Sequence, residues 1–308
     1  MLQLNVKNET SRLRAVILGT AELNEPTPTL EQAYDPKSYE HIKNGTYPSN
    51  EAMVAEMEAF LNVFQKYDVT VYRPEVIAHV NQIFARDIGF VIDDVFFQAN
   101  ILPDRDKEFP AIQYVIDQID PKKFVHIKDQ DIHIEGGDVI VWNDHIFIGT
   151  YNGPDYSAIK TARTNRAGVD FIKAYFPNKT VVAFDLVKST TEARDNALHL
   201  DCCFQPIGTD KAIVYKNGFR NEAEYQYLLD FFGADNIYHI DREGMYNMNS
   251  NVFSISPEVI VSGNNPSEFG KLNQWLRDHG FTVEEIPYSE ISKQEGLLRC
   301  STLPLIRD

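Results

Sequence analysis

The chain has 308 residues, 43% hydrophobic and 12% aromatic, which is enough to bury a large core in one domain or in two smaller ones. Its formal net charge of −16 argues against a nucleic-acid or anionic-membrane partner but suits a small cationic ligand. The three cysteines cannot form a disulfide framework, no apolar run has the length of a membrane span, and the first residues lack the pattern of a signal peptide. We therefore expect a cytoplasmic protein, and the sequence leaves open whether it is a monomer or a homo-oligomer.

The predicted elements repeat one order along the chain: a hairpin, a helix and a further strand. The first unit has a strand at 12–20, a helix at 50–67 and a strand at 69–74, and its hairpin lacks one strand. Four complete units follow. Their hairpins lie at 89–100, 138–150, 202–217 and 251–264, and their helices at 108–118, 167–176, 221–232 and 266–280. Their last strands lie at 124–127, 180–186, 236–240 and 281–286. This regular spacing is typical of a repeat architecture.

The last residues of the sequence supply the strand that the first unit lacks. The apolar segment at 301–306 is predicted to pair with the strand near Val16 and to close a ring of five units. Closure would hold in place a terminus that otherwise frays. The residues at 21–49, rich in Pro, Tyr, Asn and Thr, are predicted to form a long loop or flap. No boundary divides the chain, so we expect a single domain over 1–308.

Chemically useful side chains stand just before the first strand of successive units. If the units are related by rotation about the axis of the ring, these positions meet at one end of it. They would then form one pocket containing a thiol, an imidazole and several carboxylates from distant parts of the sequence. The residues concerned are Asp87, Glu135, His199, Asp201, the segment MNSN at 248–251, and Cys300.

Together these groups suit chemistry on a guanidinium ion. Carboxylates bind its N–H donors in paired, charge-assisted hydrogen bonds, which would leave its central carbon facing the Cys300 thiolate. Arg299 or the bound cation would lower the thiol pKa, and His199 would protonate the leaving amine and then activate water or a second amine. Taken singly, each residue has an ordinary alternative, because a cysteine packs as a small hydrophobe and histidines and acids fill structural, capping or solvated positions.

These motifs also resemble a known group of proteins. ARD at Asp87, EGGD at Glu135, HLD at 199–201 and LRCSTLP at 298–304 are similar, in order and spacing, to the guanidino-group-modifying enzymes of the pentein fold. This superfamily includes arginine deiminases, dimethylarginine dimethylaminohydrolases and amidinotransferases. The resemblance covers essentially the whole chain, and the motifs taken together are specific.

The resemblance implies an α/β fold, a five-bladed α/β propeller with pseudo-fivefold repeats. It implies that Cys300 attacks the guanidino carbon and forms a covalent amidino-thiol intermediate. His199 would be the general acid and base, and Glu135 its carboxylate partner near the guanidinium. Asp87 and Asp201 would bind the guanidinium, and no metal or organic cofactor is implied.

The same resemblance assigns Arg163, in the segment TARTNRAGVDF, to the α-carboxylate of the substrate, although an arginine at a helix start is also common at a surface. The expected function is therefore a cysteine-dependent hydrolase that acts on arginine or a related guanidino compound. The principal alternative is an amidinotransferase that passes the amidino group to an amine acceptor.

Two other classes of function are compatible with the sequence. In a metal-dependent enzyme, two His-x-acid pairs, His133 with Glu135 and His199 with Asp201, would bind a divalent ion. Cys300 would then have no role. In a non-catalytic pentein binding protein, the acid, base and thiol would have no use at all.

Overall fold

The computed structural model describes residues 1–24 and 26–308. Its strands are β1 (Leu13–Leu18), β2 (Thr70–Tyr72), β3 (Gly89–Ile92), β4 (Val95–Gln98), β5 (Phe124–His126), β6 (Val139–Trp142), β7 (His145–Thr150), β8 (Thr180–Asp185), β9 (Phe204–Ile207), β10 (Lys211–Val214), β11 (Ile237–His239), β12 (Phe253–Ser256), β13 (Val259–Gly263), β14 (Thr282–Ile286) and β15 (Thr302–Arg307). Its α-helices are α1 (Pro36–Lys43), α2 (Asn50–Lys66), α3 (Gln113–Ile116), α4 (Arg166–Tyr175), α5 (Glu222–Phe232), α6 (Arg242–Tyr246) and α7 (Pro266–Asp278).

The strands form five three-stranded sheets, ordered β3-β4-β5, β6-β7-β8, β9-β10-β11, β12-β13-β14 and β15-β1-β2. In each sheet the central strand pairs antiparallel with one neighbour and parallel with the other. Because a parallel partner requires a crossover, a helical segment lies between the last two strands of every unit. This repeated plan confirms the predicted five-bladed α/β propeller.

The end of the chain closes the ring as the sequence predicts. Strand β15 pairs antiparallel with β1, and Val16 lies opposite Pro304. On its other side, β15 is held by Asn5, whose backbone N–H donates to Leu305 and whose carbonyl accepts from Arg307. The strand that begins two residues after Cys300 is therefore hydrogen-bonded on both edges.

The helix predicted at 108–118 is much shorter in the structure. A 3₁₀ turn covers Phe109–Ile112, and α3 extends only from Gln113 to Ile116. Pro110 stands in the first turn of the 3₁₀ helix, where a residue without an N–H is tolerated.

The segment at 21–49, predicted as a loop or flap, contains helix α1. The helix begins after Asp35, whose side chain accepts a hydrogen bond from the Ser38 backbone N–H at 2.6 Å, and Pro36 occupies its first turn. Both are ordinary start signals that the composition of the segment hides. The short helix α6 was also not predicted, although Asp241 caps it in the same way.

The core is apolar and rich in aromatic rings. On α2, the rings of Phe60 and Phe64 stack at 4.5 Å, and both pack edge-on against Phe253 at 5.8 Å. These contacts join helix α2 of the first unit to strand β12 of the β12-β13-β14 sheet. Among the described residues, none of the helices combines the length and apolar character that crossing a lipid bilayer requires. The cytoplasmic location, the oligomeric state and the single-domain organisation stay predictions.

Candidate active site

The structure brings the predicted site residues together in the interior of the ring. Five of them lie in the few residues that precede the first strand of a blade, which we call the lead-in of that blade, whereas Arg163 lies before helix α4. In two blades a 3₁₀ turn, Gly136–Asp138 or Leu200–Cys202, follows the functional side chain and joins it to the strand. The side chains come from four blades, and each of these residues is at most 4% exposed: Asp87, Glu135, His199, Asp201 and Cys300.

The two glycines of the EGGD motif allow this convergence. A Cβ atom at Gly136 would lie 2.0 Å from the carbonyl oxygen of Arg86, and one at Gly137 would lie 2.6 Å from the ring of His199. Neither position has room for a side chain. The motif therefore places backbone directly against the histidine and the Asp87 lead-in.

Cys300 lies between a carboxylate and an amide. Its Sγ is 3.6 Å from Oδ2 of Asp201 and 3.2 Å from Nδ2 of Asn251, and its backbone N–H donates to Oδ1 of Asn251 at 3.0 Å. Burial and the negative charges of Asp201 and Asp87 raise the pKa of the Cys300 thiol well above its usual value. Burial and these charges therefore favour the neutral thiol over the thiolate.

His199 lies between two acids and is hydrogen-bonded to one of them. Its Nε2 is 2.8 Å from Oε2 of Glu135, and its Nδ1 is 3.7 Å from Oδ1 of Asp87. Burial lowers the pKa of His199, but the charges of Asp87 and Asp138 and the bond to Glu135 outweigh burial and raise it. The histidine is thus disposed to hold a proton that it can give to a leaving group.

Arg163 and Glu135 form a buried ion pair. The Arg163 Nη1 is 3.1 Å from Oε2 of Glu135, and Nη2 donates to the Tyr34 carbonyl at 3.0 Å. Burial raises the pKa of Glu135, but Arg163 and His199 outweigh this and hold it well below its usual range. Arg163, expected on a substrate carboxylate, therefore contacts the carboxylate partner of the histidine.

Arg105 is a site residue that the sequence did not reveal. Its Nη1 donates to Oδ2 of Asp87 at 2.6 Å, while Nε and Nη2 bind the Glu108 carboxylate at 2.7 and 2.8 Å. It ends a short 3₁₀ helix, Pro103–Arg105, that follows β4 and carries no recognisable motif. The other carboxylate oxygen of Asp87, Oδ1, is buried and accepts no hydrogen bond from the described residues.

Arg299 makes a second buried cluster behind the cysteine. Its guanidinium binds both oxygens of Glu9 at 3.0 and 3.2 Å and Oδ2 of Asp201 at 2.8 Å. The expected lowering of the Cys300 pKa by Arg299 is present but is smaller than the opposing effects of burial and the acids. Arg299 serves chiefly to neutralise two buried carboxylates.

The segment at 21–49 covers the site. The ring of Tyr34 lies 5.8 Å from the guanidinium of Arg163 and 6.0 Å from that of Arg105. Beside it is a cavity of about 380 Å³, whose lining includes Tyr34, Asp35, Tyr47, Phe84, Asp104 and Glu108. The cavity adjoins the site through Glu108 but does not reach Cys300 or His199.

The two predicted His-x-acid pairs do not converge. Among the described residues, Asp87, Glu135 and His199 offer ligand atoms within 4.8 Å of one another, and neither His133 nor Asp201 belongs to that group. These three residues are not the two His-x-acid pairs that the sequence suggested as ligands of a divalent ion.

Comparison with known proteins gives the family. Residues 32–307 match the family described as N,N dimethylarginine dimethylhydrolase, eukaryotic, and the chain belongs to this family. It is 30% identical over 229 residues to the uncharacterized protein YkgA of Bacillus subtilis, covering 73% of this chain and 70% of YkgA. It is 27% identical over 215 residues to an arginine deiminase of Levilactobacillus brevis, covering 59% of this chain and 48% of the deiminase. The chain therefore matches about half the length of that deiminase.

Solved structures show the same fold. The N-terminal domain of ArgZ, an arginine dihydrolase from the ornithine-ammonia cycle in cyanobacteria, superposes with a TM-score of 0.77 at 17% identity, covering 95% of this chain and 97% of that chain. Inosamine-phosphate amidinotransferase StrB1 from Streptomyces griseus gives a TM-score of 0.74 at 15% identity, covering 100% and 97%. Family and fold together place the chain in the guanidino-modifying superfamily of pentein enzymes.

Proposed function

We propose that the protein is a cysteine-dependent hydrolase that acts on the guanidino group of arginine or a related compound. The observation that carries the proposal is the burial of Cys300 and His199 in one site with three carboxylates, Asp87, Glu135 and Asp201. The family match favours the same activity. A guanidinium is the small cation whose fork of N–H donors suits several carboxylates at once.

Asp87 and Asp201 each keep an oxygen for the substrate. Oδ2 of Asp87 is bound to Arg105, but Oδ1 accepts no hydrogen bond from the described residues. Oδ2 of Asp201 is bound to Arg299, whereas Oδ1 has, among the described residues, only a weak contact with the Cys202 thiol at 3.8 Å. A guanidinium bound between the two free oxygens would satisfy them and would place its carbon near the Cys300 sulfur.

Substrate binding would also activate the cysteine. The charges of Asp201 and Asp87 help to keep the Cys300 thiol neutral, and a bound guanidinium would offset both of them. The pKa of the thiol would fall, and the thiol would give its proton to solvent as the cation binds. The nucleophile would thus form only when a substrate is present.

The first half-reaction would form the covalent intermediate. The Cys300 thiolate attacks the guanidino carbon, a carbon–sulfur bond forms, and the π electrons move to nitrogen. When the carbon–nitrogen bond to the leaving amine breaks, the His199 imidazolium gives that nitrogen its proton. Glu135, 2.8 Å from the ring, stabilises the imidazolium before this step.

The second half-reaction would release the product. Neutral His199 takes a proton from water, and the hydroxide adds to the amidino carbon of the intermediate. As the carbon–sulfur bond breaks, Cys300 leaves as a thiolate, the added hydroxyl oxygen becomes the ureido carbonyl, and its proton passes to solvent. The product is a ureido compound. An amine in place of water would give amidino transfer by the same route.

We infer that the segment at 21–49 must move to admit the substrate. The site residues are at most 4% exposed, and the Tyr34 carbonyl of this segment is bonded to Arg163. In the described structure the segment therefore closes the site. Breaking this contact would release Arg163 from the segment that lines the neighbouring cavity.

Product analysis by mass spectrometry tests the proposal. The protein is incubated with arginine and with N-methylated arginines, with and without glycine or ornithine as an amine acceptor. We expect citrulline with water alone, and a loss of at least about 10³-fold in Cys300→Ser. The matched control is Cys203→Ser, a buried free cysteine whose Sγ contacts the Leu200 carbonyl at 3.4 Å and which should leave turnover intact.

The outcomes separate the candidate functions. The released amine identifies the substrate. Product that forms only with glycine or ornithine would contradict hydrolysis and establish amidino transfer. Citrulline formed equally by Cys300→Ser would contradict the nucleophile.

A further inference from the structure

We propose that Asn251 positions the sulfur of Cys300 and stabilises its thiolate form. The residue precedes β12, at the place in its blade that the acids and the histidine occupy in other blades. It is fully buried, with 0% exposure. The inference rests on the proposed function, because it concerns the nucleophile of that same site.

The orientation of the Asn251 amide follows from its partners. The backbone N–H of Cys300 can only donate, and it lies 3.0 Å from Oδ1 of Asn251. The amide oxygen is therefore fixed on that side, and Nδ2 faces the Cys300 sulfur at 3.2 Å. An N–H group directed at sulfur binds the charged thiolate more strongly than the neutral thiol.

Asn251 is itself held on both its backbone and its side chain. Its N–H donates to the Met248 carbonyl at 2.9 Å, and its carbonyl accepts from the Arg299 N–H at 3.2 Å. Nδ2 also lies 3.4 Å from the Asp201 carbonyl oxygen. One side chain thus joins the lead-ins of three blades, so the position of the sulfur beside Asp201 is fixed before a substrate arrives.

The charged surroundings explain why a neutral donor is needed at this sulfur. Arg299, the neighbouring cation in the sequence, is engaged by Glu9 and Asp201. A cationic side chain at the sulfur would compete with the guanidinium for the two aspartates. A neutral amide donates a hydrogen bond to the thiolate without pairing with these carboxylates. The titratable or charged groups that face Cys300 are Asp201, Asp87, Arg299, Cys202 and Tyr288.

The test is the pH dependence of Cys300 alkylation in Asn251→Ala and Asn251→Ser. The probe is iodoacetamide, and peptide mapping reads the rate at Cys300 alone. We expect the apparent pKa of Cys300 to rise by about 1 to 2 when the donor is removed. We also expect kcat to fall by about 10- to 100-fold while KM stays within about 2-fold.

The matched control is Asn273→Ala. Asn273 is also buried, and its Nδ2 donates to a backbone carbonyl, that of Gly263, at 2.9 Å. Its loss should lower the stability of the protein without changing the pH profile at Cys300. A purely structural role for Asn251 would give the same result in both variants and would overturn the assignment.

A second measurement uses the wild-type protein, so it does not depend on how the variants fold. In ¹⁵N-labelled protein, the side-chain amide resonance of Asn251 should shift over the pH range in which Cys300 titrates, and again on alkylation. A resonance that ignores both would overturn the inference.

The experiments keep this inference distinct from the proposed function. Guanidino turnover by the wild-type protein with unchanged alkylation profiles in the Asn251 variants would refute the inference alone. A raised Cys300 pKa in the variants of a protein that turns over no guanidino compound would support the role of the amide and refute the proposed reaction.

Discussion

Replacing Arg299 with methionine should destabilise the protein strongly and in a pH-dependent way. Methionine fills a similar volume but leaves Glu9 and Asp201 without the cation that binds them at 2.8 to 3.2 Å. Burial raises the pKa of Glu9, but Arg299 and Arg86 outweigh this and lower it from 4.5 to about 2. That difference corresponds to about 3 kcal/mol of folding free energy, within the range of about 3 to 5 kcal/mol for breaking a buried pair.

The sign of the pH dependence follows from the depressed pKa. The stabilisation from Glu9 is complete above its unfolded value of 4.5 and is lost as the pH falls toward about 2. The difference in unfolding free energy between wild type and Arg299→Met should therefore be largest near neutral pH and should narrow below pH 4.5.

Urea unfolding at several pH values, followed by circular dichroism, measures this difference. Adding Glu9→Gln to Arg299→Met should restore part of the lost stability, because it removes one of the stranded charges. The control is Arg166→Met, which removes an exposed pair with Asp170 and should change stability by less than about 1 kcal/mol. A loss below about 1 kcal/mol in Arg299→Met, or one independent of pH, would refute the reasoning.

Three further predictions concern the chemistry of the site. His199→Asn should lower kcat by about 10² to 10⁴-fold yet leave the Cys300 thiol available to iodoacetamide, as steady-state kinetics and labelling would show. Gly137→Ala should lower kcat by about 10²-fold, because the new Cβ would lie 2.6 Å from the His199 ring. Gly270→Ala is the control and should keep full activity, because its new Cβ, in helix α7, would lie 4.0 Å from the Cβ of Pro266. Dialysis against EDTA should leave the rate unchanged, whereas a loss restored by one divalent ion would favour a metal site at Asp87, Glu135 and His199.

Much of the ring could be predicted because its signals are local. Alternating apolar strands, turn residues and helical periodicity repeat in each unit, and these depend on neighbours a few positions apart. The closing strand at Thr302–Arg307 followed from counting what the first unit lacked. The convergence of Asp87, His199 and Cys300 followed from their shared place in the repeat.

The partners of these residues could not be predicted in the same way. Arg105 reaches Asp87 from the end of a short 3₁₀ helix, and Arg299 binds Glu9 across 290 positions of the sequence. Such pairs depend on how blades meet, which no local pattern records. Asn251 lies before a first strand, as the acids and the histidine do, but a neutral amide is less specific for catalysis than an acid or a histidine. Helix α1 could not be predicted because the proline and polar content of 21–49 is typical of a loop.

The central claim is that Cys300 becomes covalently bonded to the amidino carbon of the substrate. Acid quenching during turnover, followed by intact-mass and peptide analysis, tests it most directly. The account predicts an amidino adduct on the peptide that contains Cys300, none on Cys202 or Cys203, and no adduct in Cys300→Ser. Turnover in which Cys300 stays unmodified at every quench time, together with activity that survives in Cys300→Ser, would contradict it.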